Sequence, residues 1–258
     1  MAYEPFNLAG KVALVTGGNS GIGFGFADAI ARAGGDVCIW GTNPEKNAAA
    51  LEQLKAHGTR AAALQCDVGD EGQVEASMTE TLKQFGRVDS CFANAGVSGR
   101  AEHRSFVEMS AEEWRRVMRV NLDGAFFTLR AAARHMMERG DGGRLVGTAS
   151  LAAIEGAARG EHYAATKGGL ISMMVSLSVE MARYGITANA VLPGWIETNM
   201  TERTFGWEKF ANAVKPRIPA RRWGTKEDFG GIAVYLASDA SAYHSGDTFI
   251  IDGAYNKF

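Results

Sequence analysis

Along the chain, short apolar runs alternate with longer stretches whose apolar positions recur every three to four residues. Residues 12–15, Val-Ala-Leu-Val, form an unbroken apolar run that predicts a buried strand. A helix is predicted from about 21 to 33 and a second strand at 36–40. The next helix opens at Pro44, where a missing N–H costs little. A third strand is predicted at 61–65. Val74, Met78, Leu82 and Phe85 then recur at helical spacing, ahead of a fourth strand at 88–92. Ser110-Ala111-Glu112-Glu113 has the form of a capping box. It begins a long amphipathic helix through Trp114, Val117, Met118, Phe126, Leu129, Ala133 and Met136. Residues 144–148 predict a fifth strand, followed by a helix that carries Tyr163. A sixth strand is predicted at 186–192, a helix at 228–237 and a short last strand at 249–251.

Repeated strand–helix alternation predicts an α/β fold: a doubly wound parallel seven-stranded sheet with helices on both faces. Neither a linker nor a low-complexity segment divides it, so one domain over residues 1–258 is expected. The irregular stretch 193–222, with Pro193, Pro216 and Pro219, is predicted to be a functional loop or substrate lid; a plain surface excursion is the alternative.

Composition narrows the function classes. A chain of 258 residues with 46% hydrophobic content can bury a sizeable core. Its formal net charge is -2 and no basic cluster stands out, which argues against nucleic-acid binding. The start, Met1-Ala2-Tyr3-Glu4-Pro5, does not read as a signal peptide. The longest uncharged apolar stretch, 168–179, is too short for a membrane span. Cys38, Cys66 and Cys91 fall in or beside strand-like runs without metal-site spacing. They are expected to be buried free thiols of a cytoplasmic protein, with no metal site.

Two sequence features point to chemistry. Thr16-Gly17-Gly18-Asn19-Ser20-Gly21-Ile22-Gly23 lies between the first strand and the first helix. Glycines there permit a tight turn and close backbone approach to a pyrophosphate, which the helix N-terminus attracts. After the second strand the chain reads Trp40-Gly41-Thr42-Asn43. No carboxylate stands there to hold a ribose 2′-OH or to repel a 2′-phosphate, so NADP is favoured over NAD. Lys46, further on, reads as a solvated helix residue. The second feature is Tyr163 with Lys167, four residues apart and therefore on one helical face. A neighbouring ammonium favours phenolate and is expected to lower the Tyr163 pKa, making a proton donor or acceptor. Taken alone, the pair reads as easily as a packing tyrosine and a solvated lysine.

Together these motifs resemble the short-chain dehydrogenase/reductase family over nearly the whole chain, from Leu8 to Gly253. Thr16, Gly17, Gly21 and Gly23 meet its cofactor motif, with Asn19, Ser20 and Ile22 inside the same loop. Asp67 and Val68 match its adenine-contacting pair. Asn94, Ala95 and Gly96 match its Asn-Ala-Gly motif. Asn121 falls at its helical asparagine, and Ser150 precedes Tyr163 by the family's thirteen residues. Pro193, Gly194, Ile196 and Thr198 fall in its Pro-Gly-x-x-x-Thr segment. The resemblance implies a Rossmann fold and reversible hydride transfer between NAD or NADP and a carbonyl/secondary-alcohol pair. It assigns Asn121, Ser150, Tyr163 and Lys167 to catalysis. Tyr163 would transfer the proton, Ser150 would position the substrate oxygen, and Lys167 would lower the tyrosine pKa and bond the nicotinamide ribose. Asn121 would hold a water for proton return. The dinucleotide contacts would come from the Thr16–Gly23 loop, Gly41, Thr42, Asn43, Asp67, Val68, Asn94, Ala95, Gly96, Tyr163, Lys167, Pro193, Gly194, Ile196 and Thr198.

The resemblance also implies a homotetramer or homodimer built on the two long helices. A 3-oxoacyl thioester, a sugar, a cyclic ketone and a steroid all remain as small-molecule substrates. Trp195, Met200, Phe205, Trp207 and Phe210 serve equally as pocket wall or packing. Glu155, Arg159, Glu161 and His162 are expected to face solvent. Asp252-Gly253-Ala254 departs from the family's Asp-Gly-Gly. Two other classes stay open: a non-catalytic dinucleotide sensor, and an isomerase or dehydratase that retains its cofactor.

Overall fold

A computed structural model describes residues 3–98 and 105–257. Each predicted apolar run is a strand: β1 Val12–Thr16, β2 Asp36–Gly41, β3 Ala61–Gln65, β4 Ser90–Ala93, β5 Gly143–Thr148, β6 Ile186–Pro193 and β7 Thr248–Ile251. They form one sheet in the order β3-β2-β1-β4-β5-β6-β7, with every neighbouring pair parallel. The helices are α1 Gly21–Arg32, α2 Pro44–Lys55, α3 Glu71–Phe85, α4 Ala111–Met118, α5 Gly124–Arg139, α6 Ala152–Glu155, α7 Glu161–Glu180, α8 Glu202–Phe205, α9 Glu208–Val214 and α10 Gly230–Ala237. Strand order reverses between β1 and β4, and in such sheets ligands bind beyond the strand ends at that switch point.

Strand alternation divides the core between the two faces. Val12, Leu14, Cys38 and Trp40 point with Leu145 into a cluster closed by Met78, Leu129, Met136 and Met174. Ala13, Val15, Val37, Ile39 and Val146 point the other way, against Phe26, Ile30, Leu54, Phe229 and Leu236. All three cysteines are free and buried. Burial pushes Cys38 up to about 11 and Cys91 up to about 12, because a thiolate would lose its hydration there.

Helix ends follow local chemistry. Asn43 caps α2 by accepting from Lys46 N at 2.7 Å, and Ser110 caps α4 by accepting from Glu113 N at 3.1 Å. Asp70 caps α3, which closes on Gly86 in the left-handed conformation.

Two predicted helices are revised. The long helix starting after Ser110 runs on to Arg139 but is not α-helical throughout: Arg119–Asp123 forms a π turn between α4 and α5. Such a turn opens the backbone by one residue and redirects a side chain, here Asn121. The helix predicted at 228–237 begins instead as a 3-10 turn, Lys226–Phe229, held by a Thr225/Asp228 capping box.

The stretch after β6 carries α8 and α9 and has a small core of its own, centred on Leu151, Val214, Ile218 and Trp223. Trp195, Phe205 and Phe210 join that core, with Phe205 stacked on Trp223 at 4.1 Å between centroids. Among the described residues no helix is long and apolar enough to cross a membrane.

Candidate active site

The ends of β1 and β4 are stapled by one threonine. Thr16 Oγ1 accepts from Asn94 N and Ala95 N, both at 3.0 Å, and Asn94 Nδ2 donates to Thr16 O at 3.0 Å. The staple holds the Gly-rich loop and the Asn-Ala-Gly segment side by side. Beyond them opens a cavity of about 440 Å³.

From the Gly-rich loop the cavity is lined by Gly17, Asn19, Ser20, Gly21 and Ile22. Gly41, Thr42 and Asn43 line it after β2, Asp67 and Val68 after β3, and Asn94, Ala95 and Gly96 after β4. Pro193, Gly194, Ile196 and Thr198 line it after β6. Thr16 and Gly18 of that loop stand outside the lining, and so does Gly23. A Cβ there would sit 2.3 Å from Gly17 O and 2.4 Å from Asn94 Nδ2, so its role is to let α1 approach the loop. Gly17, at φ +62°, adopts a conformation that side chains resist, and a Cβ would meet Ala95 Cα at 3.0 Å. This backbone-lined cradle beneath a helix N-terminus fits a dinucleotide pyrophosphate.

Ser150, Tyr163 and Lys167 line the same cavity. Ser150 follows β5, and its Oγ accepts from Ala152 N at 3.2 Å. A hydrogen bond joins its side chain to Tyr163. Lys167 is buried beneath, donating through Nζ to Thr148 O at 2.7 Å and lying 5.6 Å from the Tyr163 ring centroid. Burial brings the Lys167 pKa down to about 8. The expected lowering of Tyr163 is corrected: burial pushes its phenol up, and the Ser150 hydrogen bond only partly opposes this. The phenol is therefore protonated at neutral pH, the form that can donate a proton.

Asn121 stands off the lining. Its Oδ1 accepts from Val97 N at 2.8 Å, and its Nδ2 donates to Val97 O at 3.0 Å and to Thr166 Oγ1 at 3.5 Å. Behind Gly96, a Cβ would find Asn121 Oδ1 at 3.2 Å and Lys167 Nζ at 3.7 Å. Asn121 and Lys167 thus converge on one backbone position.

The Asp67 carboxylate accepts from Arg119 Nη1 at 2.9 Å and Gly69 N at 2.9 Å. Arg119 carried no motif signal. Val97, Val120, Thr148, Asn199 and Thr201 also line the cavity without a motif signal, because they flank motif positions or come together only on folding. Lys46, read as a solvated helix residue, is exposed and yet lines the cavity rim. Of the five apolar residues considered for a pocket wall, Met200 alone lines the cavity. His162 departs from the solvent-facing expectation: it is fully buried, with Nε2 3.2 Å from Glu113 Oε1. Glu155 and Arg159 are exposed as expected. No group of three or more metal-ligating side chains occurs among the described residues.

Residues 17–256 match the family described as Enoyl-(Acyl carrier protein) reductase. The chain is 35% identical to 2-dehydro-3-deoxy-D-gluconate 5-dehydrogenase of Escherichia coli, covering 99% of each chain. It is also 35% identical to L-rhamnose 1-dehydrogenase (NAD(P)(+)) of Sphingomonas sp., over 95% of this chain and 96% of that one. A crystal structure of gluconate 5-dehydrogenase from Burkholderia cenocepacia, in complex with NADP and tartrate, superposes with a TM-score of 0.93. Its identity is 34%, and all of both chains is covered.

Proposed function

The chain belongs to the short-chain dehydrogenase/reductase family of NAD(P)-dependent oxidoreductases, and we propose that it acts on a sugar acid or a similar polyhydroxylated carbonyl/alcohol. The observation carrying the reading is that Ser150, Tyr163 and Lys167 line one cavity with the glycine-rich cradle. When bound, the nicotinamide dinucleotide supplies or accepts the hydride.

In the reducing direction, negative charge develops on the substrate oxygen. Tyr163, kept protonated by burial, gives its proton to that oxygen, while the Ser150 hydroxyl orients it. Lys167 would hold the cofactor ribose, and its ammonium favours the phenolate left behind. Asn121, beside Lys167 behind Gly96, would hold the water through which the proton returns. After β6, Asn199, Met200 and Thr201 line the cavity, while Trp195, Phe205 and Phe210 are engaged in the lid's own core. We take 193–222 as the substrate lid of a single NAD(P)-binding domain.

For the cofactor we favour NADP. Two lysines support this: Lys46 on the cavity rim, and Lys226, which lines with it a smaller adjoining cavity beside Asn19 and Ser20. Exposed Trp114, Phe126, Val175 and Val179 on α4, α5 and α7 support assembly into a homotetramer or homodimer. Three buried free thiols support a cytoplasmic location.

The test is a steady-state screen of gluconate, 2-dehydro-3-deoxy-D-gluconate, L-rhamnose and a 3-oxoacyl thioester with each cofactor. We expect turnover of a sugar or sugar acid and tighter NADP binding. A kcat/KM favouring the thioester would overturn the substrate class. NAD binding at least tenfold tighter than NADP would overturn the cofactor preference.

A further inference from the structure

His162 immediately precedes Tyr163 and lies in the first turn of α7, with no exposed surface. Its Nε2 is 3.2 Å from Glu113 Oε1, on the neighbouring helix α4. The same carboxylate accepts two bonds from Arg116: Nε to Oε2 at 2.6 Å and Nη2 to Oε1 at 2.8 Å. These bonds, with the smaller contribution of His162, hold Glu113 down to about 2 despite its partial burial. Glu113 is therefore ionised at any working pH and can only accept hydrogen bonds. His162 must carry a proton on Nε2 to meet it. Arg116 Nη2 also donates to Ser98 O at 3.1 Å. Ser98 follows Val97, which lines the cavity and is clasped through its backbone by Asn121. Glu113 is placed for this by the Ser110 cap, which fixes the first turn of α4.

We infer that Glu113 is a positioning residue: one carboxylate on α4 ties the start of the catalytic helix, through His162, to the cavity wall at 97–98, through Arg116. The inference rests on the oxidoreductase reading above. Tyr163 and Val97 both line the cavity. Their separation is set by the catalytic helix and the 94–98 loop, and Glu113 locks the two together. The chain sets a partly buried carboxylate against a fully buried imidazole that immediately precedes its acid/base tyrosine. Two charge-linked bonds fix direction as well as distance, which dispersion contacts do not.

The test compares wild type with Glu113→Ala, Arg116→Gln and His162→Gln on the substrate that the screen identifies. The readouts are kcat, KM, cofactor Kd and the primary isotope effect with 4-deuterated reduced cofactor. Misplacing the reacting groups slows hydride transfer itself. Glu113→Ala should lose on the order of 10- to 100-fold in kcat, with a raised isotope effect and cofactor Kd within about twofold. Arg116 is 46% exposed, so Arg116→Gln keeps the test open should the alanine variant not fold. Arg116→Gln and His162→Gln should each lower kcat, and their double variant should lose less than the product of the two. A fall in active protein with an unchanged isotope effect would reduce the cluster to a structural role and overturn the inference. Additive losses, or unchanged kcat in the folded variants, would overturn it as well. Wild type without turnover on any substrate would instead overturn the oxidoreductase reading, and the inference with it.

Discussion

Replacing Lys167 by Met should remove activity yet leave the protein as stable as wild type or more stable at neutral pH. Lys167 is 4% exposed, and burial alone takes its pKa from 10.5 to about 8. At about 1.36 kcal/mol per tenfold change in proton affinity, holding the ammonium there costs roughly 3 kcal/mol. Methionine has similar length and no charge, so the substitution relieves that cost. It also leaves Thr148 O without the donor now at 2.7 Å, a loss of about 1–3 kcal/mol. The balance is a gain of about 1 kcal/mol, or roughly 2–4 °C in Tm for a chain of this size. The pH dependence gives the sharper check. Above about pH 8 the native chain releases the Lys167 proton, while the unfolded chain keeps it until about 10.5. Within that window the unfolded state binds more protons, so wild-type stability rises with pH. The advantage of Lys167→Met should shrink from pH 8 upward and reverse near pH 9. Paired thermal melts at pH 7, 8.5 and 10 measure it, with turnover assayed in parallel. A variant less stable by more than about 1 kcal/mol at pH 7, with a pH-independent difference, would refute the reasoning.

Further outcomes follow from single contacts. Tyr163→Phe removes the proton donor while keeping the ring, so kcat should fall on the order of 10²–10⁴-fold with cofactor Kd little changed; isothermal titration beside steady-state kinetics checks both. Gly23→Ala drives a Cβ to 2.3 Å from Gly17 O, and should destabilise by about 1–3 kcal/mol and weaken dinucleotide binding, read by denaturant melts and titration. Lys46→Glu should weaken NADP at least about tenfold relative to NAD, because a carboxylate on the rim repels a 2′-phosphate. Ala254 adopts φ +70°, so Ala254→Gly should raise stability by up to about 1 kcal/mol in urea unfolding.

Sequence alone determined the alternation of strands and helices, because strand and helix periods are local properties of the chain. It located the glycine-rich loop ahead of α1 too, since a tight turn before a helix needs glycine whatever surrounds it. The i,i+4 rule put Tyr163 and Lys167 on one face, and both line the cavity. Tertiary structure alone decided what burial does. The direction of the Tyr163 shift is set by desolvation, which depends on segments distant in sequence packing around the half-buried ring. The π turn at Arg119–Asp123 interrupts a continuous amphipathic pattern, and the resulting Asn121–Val97 clasp spans 24 positions. His162 reads as an ordinary polar residue until α4 brings Glu113 against it, 49 positions away. The aromatics after β6 have no local signal separating pocket wall from packing; their mutual stacking removes them from the cavity and leaves Met200 there. Periodicity and turn chemistry are written between neighbours, whereas dielectric environment and long-range hydrogen bonds exist only once the chain has closed on itself.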